Sequence, residues 1–209
     1  MSYLFPRSRI LVFSKPPLPG KCKTRLIPYL GEQGAARLQE NLIKKIIADL
    51  VTFKLCPIEI WQSEQTDYFT SHYKTHKEIA IYTQDGIDLG VRMENAIQES
   101  LKRAERIILI GSDCVLYSKS YLSIALKTLG NNQVVLGPAK DGGYVLIGVK
   151  QIHPTLFSNI EWGSDNVLDI TVHKIQEANL EFELLSELWD IDTESDIELL
   201  KKMSPEILL

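Results

Sequence analysis

Short apolar runs alternating with amphipathic stretches constrain the fold of this chain more than any other feature. Arg9-Ile-Leu-Val-Phe-Ser14 is β-branched and apolar between its ends and is closed by Pro16 and Pro17, the pattern of a buried strand running into a loop. Similar runs follow at Ile58 to Trp61, Ile79 to Thr83, Arg106 to Gly111, Val134 to Gly137 and Tyr144 to Val149. From Glu32 to Phe53, Leu38, Leu42, Ile43, Ile46, Ile47 and Leu50 recur at three- and four-residue steps among polar residues, which predicts an amphipathic helix. Helical patterns also cover about 91–104, 119–129 and 164–178, with a strand near Phe182 to Leu185 and a last helix from Thr193. Parallel strands need crossovers, and these are usually helices, so the alternation predicts an α/β, doubly wound, mainly parallel sheet with helices on both faces. Asp141-Gly142-Gly143 joins two strand-like runs too closely for a helix, which predicts an antiparallel insertion and hence a mixed sheet.

Length and composition set the outer bounds. At 209 residues the chain is expected to form one domain over residues 1–209. A net charge of -4 argues against a protein that works by neutralising nucleic-acid backbone. Cys22, Cys56 and Cys114 are widely spaced and form no CxxC, so neither a disulfide framework nor a zinc knuckle is expected, and a cytoplasmic location fits. The apolar run near the N-terminus is too short for a signal sequence or a membrane span, and no membrane partner is expected.

In sheets of this kind ligands bind beyond the carboxyl ends of the strands. Directly after the first strand, Lys15-Pro-Pro-Leu-Pro-Gly20-Lys21-Cys22-Lys23-Thr24-Arg25-Leu26 concentrates cations, a glycine and a hydroxyl. Such a loop suits an anion: glycine admits close backbone approach, a helix starting near Thr24 would offer free N–H groups, and Lys15, Lys21, Lys23 and Arg25 supply charge. It is not a Walker A loop, because Cys22 stands where Ser or Thr is needed, and the chain has no GxGxxG. A solvated basic loop is the plainer alternative.

The run Ile107 to Ile110 delivers Gly111-Ser112-Asp113-Cys114 to the sheet edge, where the Asp113 carboxylate can hold Mg²⁺ or Mn²⁺ or instead cap a turn. Trp189-Asp190-Ile191-Asp192-Thr193 places alternating acids before a helix; Asp192 is either its N-cap or a second metal ligand. Gln84 to Met93 contains two glycines and Arg92, which suits a base or an acceptor as well as a plain turn. Asp141 and Tyr144, either side of the glycine pair, offer a base and a hydroxyl, and Trp162 offers an aromatic face. His72 and His76 would share one helix face, without an evident third metal ligand.

Six segments in order, KPPLPGKCKTRL (15–26), QDGIDLGVRM (84–93), GSDC (111–114), GPAKDGGYVLIG (137–148), EWGSDNVL (161–168) and DIDTESDI (190–197), resemble the bacterial arsenosugar-biosynthesis-type glycosyltransferase family of the GT-A nucleotide-diphospho-sugar transferase superfamily. The resemblance implies a GT-A-like fold, a nucleotide donor and a divalent metal, Mg²⁺ or Mn²⁺, held by Asp113 and Asp192. Lys15, Gly20, Lys21, Lys23, Thr24, Arg25 and Arg92 are then the expected nucleotide contacts, with Lys23 and Asp141 as catalytic candidates and Glu161 and Asp165 as alternative bases. Departures at Val115, Ile87 and Ser195 bear on loop shape. Two reactions are open: glycosyl transfer from a nucleotide-sugar to a small-molecule acceptor, or nucleotidyl transfer from an NTP with release of pyrophosphate. A binding or scaffold protein without catalysis is the third reading.

Overall fold

The computed structural model describes residues 3–153 and 155–208. Strands β1 (Ser8–Ser14), β2 (Ile58–Gln62), β3 (Ile79–Thr83), β4 (Arg106–Gly111), β5 (Val134–Pro138), β6 (Tyr144–Val149) and β7 (Phe182–Leu184) form one sheet in the order β3-β2-β1-β4-β6-β5-β7. The helices are α1 (Ile27–Phe53), α2 (Asp67–Tyr73), α3 (Leu89–Leu101), α4 (Lys119–Thr128), α5 (Val167–Glu177) and α6 (Glu194–Met203). β6 runs antiparallel to both β4 and β5, and every other pairing is parallel. The sheet is therefore mixed and mainly parallel, as the close Asp141-Gly142-Gly143 connection required.

Period-two alternation in the strands divides the core between two faces. Ile10, Val12, Ile108 and Ile110 pack with α1, α2 and α4, whereas Leu11, Phe13, Ile107 and Leu109 pack with α3 and α5. These strands are buried on both sides, which explains their unbroken apolar runs. A third cluster joins Leu26, Leu38 and Leu42 to Trp189, Ile191, Ile197 and Leu200, and so fastens the C-terminal segment beside the loop that follows β1.

Several local expectations need correction. The helix expected near Thr24 begins as a short 3-10 turn, Thr24–Leu26, and α1 is interrupted at Gly31 (φ 70°, ψ 166°). Its long regular run starts only after Gly31, at the Glu32 read from periodicity, so no uninterrupted helix presents its N-terminus at Thr24. Helix α5 begins at Val167 rather than Ser164, because Ser164 closes a turn by donating to the Glu161 carbonyl. Helix α2 was delimited by no apolar pattern; only Phe69 and Tyr73 are buried in its seven residues, too few to establish a period. It ends at Tyr73, leaving His76 outside, so His72 and His76 do not share a helix face. Among the described residues, no helix is long and apolar enough to cross a membrane.

Candidate active site

A groove of about 820 Å³ opens at the carboxyl ends of β1 and β4 and is walled by the segments after β3, β5 and β7. Its volume is that of a small-molecule site. Lys15, Lys23, Thr24, Arg25, Arg92, Asp113, Asp141 and Asp192 all line it, although they come from separate stretches of sequence. Gly20 and Lys21 do not. Gly20 serves the turn, with φ +77°, and Lys21 points to Glu64 at 3.1 Å, on an exposed pair outside the groove lining.

Lys23 organises the centre. Its backbone is left-handed (φ 48°, ψ 42°), which turns the side chain inward, and only 3% of that side chain is exposed. The ammonium lies 3.2 Å from Asp113 and 3.0 Å from Asp192, and it also donates to the Ile191 carbonyl. Burial pulls the Lys23 pKa down, but Asp113 and Asp192 outweigh it and leave the group above the ordinary lysine value. Arg25, mostly exposed, adds a longer contact to Asp192 at 3.4 Å.

The acids reach this point by strand-like alternation. Trp189 and Ile191 are buried while the alternating Asp190 and Asp192 face the groove, and the Ile191 N–H donates to the Asp113 carbonyl at 3.1 Å. Asp192 is not the helix N-cap. Thr193 takes that place in a capping box, with the Asp196 carboxylate accepting from the Thr193 N–H at 2.7 Å. The Asp192 carboxylate is thereby left to Lys23 and Arg25. Asp113 likewise pairs with Lys23 rather than capping a turn.

Three further features shape the groove; sequence patterns point to Trp162 and to the acidic run that contains Asp190, but not to Gln39. Gln39, buried on α1, donates to the Lys15 carbonyl and to Ser112 Oγ, each at 3.2 Å, and Ser112 donates to Ser14 Oγ at 2.9 Å. That network clamps the ends of β1 and β4 together and so fixes the spacing of Lys15 and Asp113. A lone polar residue within an apolar helix stripe was its only sequence signal. Asp190 also lines the groove; burial, then Asp192, Asp141 and Asp113, push its carboxyl up to about 6. Trp162 lines it too and packs against α3 at Gly90, where any Cβ would come within 2.7 Å of the indole nitrogen.

Of the three candidate bases, Asp141 alone lines the groove, exposed at the surface and accepting from the Gly143 N–H at 3.0 Å. Arg92 reaches it from the first turn of α3, its Nε donating to the Gly86 carbonyl at 3.0 Å. Asp88 caps that helix by accepting from the Val91 N–H.

Among the described residues no group of three or more His, Cys, Asp or Glu side chains is disposed to hold a metal ion unaided. The carboxylate pair Asp113 and Asp192 already shares one cation, the Lys23 ammonium. Two carboxylates completed by ligand oxygens are a donor set that suits Mg²⁺ or Mn²⁺.

Strand order, the antiparallel β6 and a groove at the carboxyl ends of the strands make this the α/β fold of nucleotide-diphospho-sugar transferases. The chain belongs to the family described as uncharacterized proteins conserved in bacteria, DUF2064, whose model matches residues 46–164. That span includes Arg92, Asp113 and Asp141 but neither the Lys15 to Arg25 loop nor Asp192. A solved protein of Desulfovibrio desulfuricans G20, provisionally assigned as a nucleotide-diphospho-sugar transferase, is 32% identical with a TM-score of 0.87, covering 95% of this chain and 88% of that one. The 2-phospho-L-lactate guanylyltransferase of Methanobrevibacter smithii is 23% identical over 133 residues, 63% of this chain and 58% of that protein, so the match spans little more than half of this relative. The inositol-1-phosphate CTP transferase of T. maritima shares the fold at 14% identity, with a TM-score of 0.60 over 97% of this chain and 95% of that one.

Proposed function

We propose that this chain is a metal-dependent transferase with a nucleotide donor, and that it moves a glycosyl group from a nucleotide-diphospho-sugar to a small-molecule acceptor. The observation that carries this reading is the convergence of Lys23 with Asp113 and Asp192 beside Lys15, Thr24, Arg25 and Arg92 in one groove. The likeness to the Desulfovibrio protein supports sugar transfer. The narrower kinship with arsenosugar-biosynthesis-type transferases belongs to the same reading.

In this scheme Asp113 and Asp192 hold Mg²⁺ or Mn²⁺, which when bound supplies Lewis-acid charge stabilisation to the departing diphosphate. Lys15, Arg25 and Arg92 bind the diphosphate oxygens, with the Thr24 hydroxyl as a further donor. Lys23 keeps the carboxylate pair from repelling that diphosphate. A bond forms from the acceptor oxygen to the anomeric carbon as the bond from that carbon to the diphosphate oxygen breaks, and the acceptor proton passes to Asp141. Preplaced cations matter here because negative charge grows on the leaving group.

Nucleotidyl transfer is the second reading, favoured by the match to a guanylyltransferase. There an acceptor oxygen attacks the α-phosphate of an NTP and pyrophosphate leaves. Thermal-shift measurements with Mg²⁺ or Mn²⁺ against panels of NTPs and nucleotide-sugars separate the two. Stabilisation by nucleotide-sugars and nucleoside diphosphates, but not by NTPs, supports sugar transfer; preference for an NTP with pyrophosphate release supports the alternative. If no nucleotide shifts the melt and Asp113→Ala changes nothing, both enzyme readings fail.

A further inference from the structure

Asp192 carries two cations that differ in how firmly they are held. Lys23 takes Oδ1 of Asp192 at 3.0 Å and Oδ1 of Asp113 at 3.2 Å, and its side chain, 3% exposed, donates in addition to the Ile191 carbonyl. Arg25 takes the other Asp192 oxygen, Oδ2, through a single contact at 3.4 Å, from a side chain that is 66% exposed. Among the described residues, Asp113 Oδ2 is then the one oxygen of the pair outside these contacts.

The Asp192 backbone is fixed in this arrangement. Its N–H donates to the Asp196 carboxylate at 3.1 Å, within the capping box that starts α6, and the neighbouring Ile191 is buried. An exchange of partners on Asp192 Oδ2 must therefore come from the cation. An exposed guanidinium with one long contact gives it up at little cost, whereas a sealed ammonium with three acceptors does not.

Arg25 has two claims on it. It neutralises Asp192 here, and on the donor reading above it binds diphosphate oxygens. A divalent ion about 2.1 Å from Asp192 Oδ2 would face the guanidinium across that same oxygen, and like charges so close repel strongly in a partly enclosed groove. A diphosphate offers the guanidinium a better partner, because charge-assisted, bidentate bonds to phosphate exceed one long contact to a carboxylate.

We infer that Arg25 is a positioning residue that couples nucleotide to metal: it occupies Asp192 Oδ2 until a donor diphosphate draws it away, so that the carboxylate pair takes up Mg²⁺ or Mn²⁺ weakly alone and tightly beside the nucleotide. This inference rests on the donor reading. Such coupling is reciprocal, so the metal also tightens the nucleotide.

Two arms keep the levels apart. Isothermal titration of UDP and GDP in Mg²⁺ addresses the donor reading, and absence of binding by both overturns that reading whatever the second arm gives. The second arm measures binding of Mn²⁺ alone, by electron paramagnetic resonance of the free ion, to the wild type, Arg25→Gln and Arg25→Lys. Lys15→Gln and Arg92→Gln are the charge controls, since each removes a cation from the groove lining that makes no ion pair with Asp192. Arg25→Gln is expected to tighten Mn²⁺ at least about fivefold, Arg25→Lys to stay within about twofold of the wild type, and each control to change it by less than about twofold. With saturating UDP or GDP, the tightening of Mn²⁺ that the nucleotide brings should be at least about fivefold smaller in Arg25→Gln than in the wild type. Unchanged Mn²⁺ affinity in Arg25→Gln, controls that tighten as much as it does, or equal nucleotide-driven tightening in the two proteins overturns the inference and leaves the donor reading standing.

Discussion

The Lys23 ammonium lies 3.2 Å from an Asp113 carboxylate oxygen while its own side chain is almost sealed from water. Asp192 completes the bridge at 3.0 Å, so one buried cation joins two segments that are far apart in sequence. Removing one partner from such an arrangement leaves uncompensated charge, though both carboxylates here are partly solvated, at 42% and 34% exposure. Lys23→Met is therefore expected to lower unfolding stability by about 2 kcal/mol in urea titrations. Added Mg²⁺ or Mn²⁺ should restore stability to the variant more than to the wild type, because the carboxylate pair then lacks its resident cation.

The same geometry fixes a pH dependence. Because the folded Lys23 pKa is raised, its contribution is present in full below the ordinary lysine value and is lost only as pH rises through the higher folded value. The stability difference between wild type and Lys23→Met should accordingly stay flat from about pH 7 to pH 9 and shrink only in stronger alkali. Denaturant midpoints collected across that range check this, and a difference that fades between neutral pH and mild alkali would count against a charged Lys23.

Gly142 and Gly163 make a paired test of the walls. Both have positive φ, +86° and +90°, but a Cβ at Gly142 would run into the Asp165 backbone, whereas one at Gly163 meets open space. Gly163→Ala should cost about 1 kcal/mol, for the backbone conformation alone. Gly142→Ala should cost about 3 kcal/mol or more, since the turn and the stretch before α5 must also move apart. Thermal unfolding of the two variants gives the ranking directly.

Thiol chemistry offers a further check. Cys22, Cys56 and Cys114 are all buried, and burial pushes the Cys56 and Cys114 thiols up to about 12 and raises Cys22 as well. Neutral, enclosed thiols react slowly. Ellman's reagent at pH 8 should find almost no thiol in the native protein and all three after denaturation, and rapid native labelling would show that the interior opens near one of them.

Much of this layout was legible in the sequence because strands buried on both faces leave unbroken apolar runs, as at Ile10 to Phe13 and Ile107 to Ile110, and the next residues then mark the sheet edge. Asp113 was found in that way, and the glycines after Asp141 gave away the antiparallel β6. What stayed hidden depends on contacts between distant segments. Nothing near Lys23 shows that its side chain turns inward, since that follows from a left-handed backbone and from carboxylates arriving from β4 and from the segment before α6. Asp192 read equally well as a cap or as a metal ligand, because Asp favours both roles, and only the Thr193 and Asp196 box rules out the cap. Gln39 sits in an apolar helix stripe, and its partners Ser14 and Ser112 lie at the end of β1 and just past the end of β4.

On the proposed function, Lys23, Asp113 and Asp192 mark the donor diphosphate site. Isothermal titration of UDP and GDP in Mg²⁺ against the wild type and an Asp113→Asn, Asp192→Asn double variant tests it most directly. Binding of at least one of the two by the wild type, weakened at least about 100-fold in the variant, is the predicted result. Equal binding by both proteins, or none by the wild type, contradicts it.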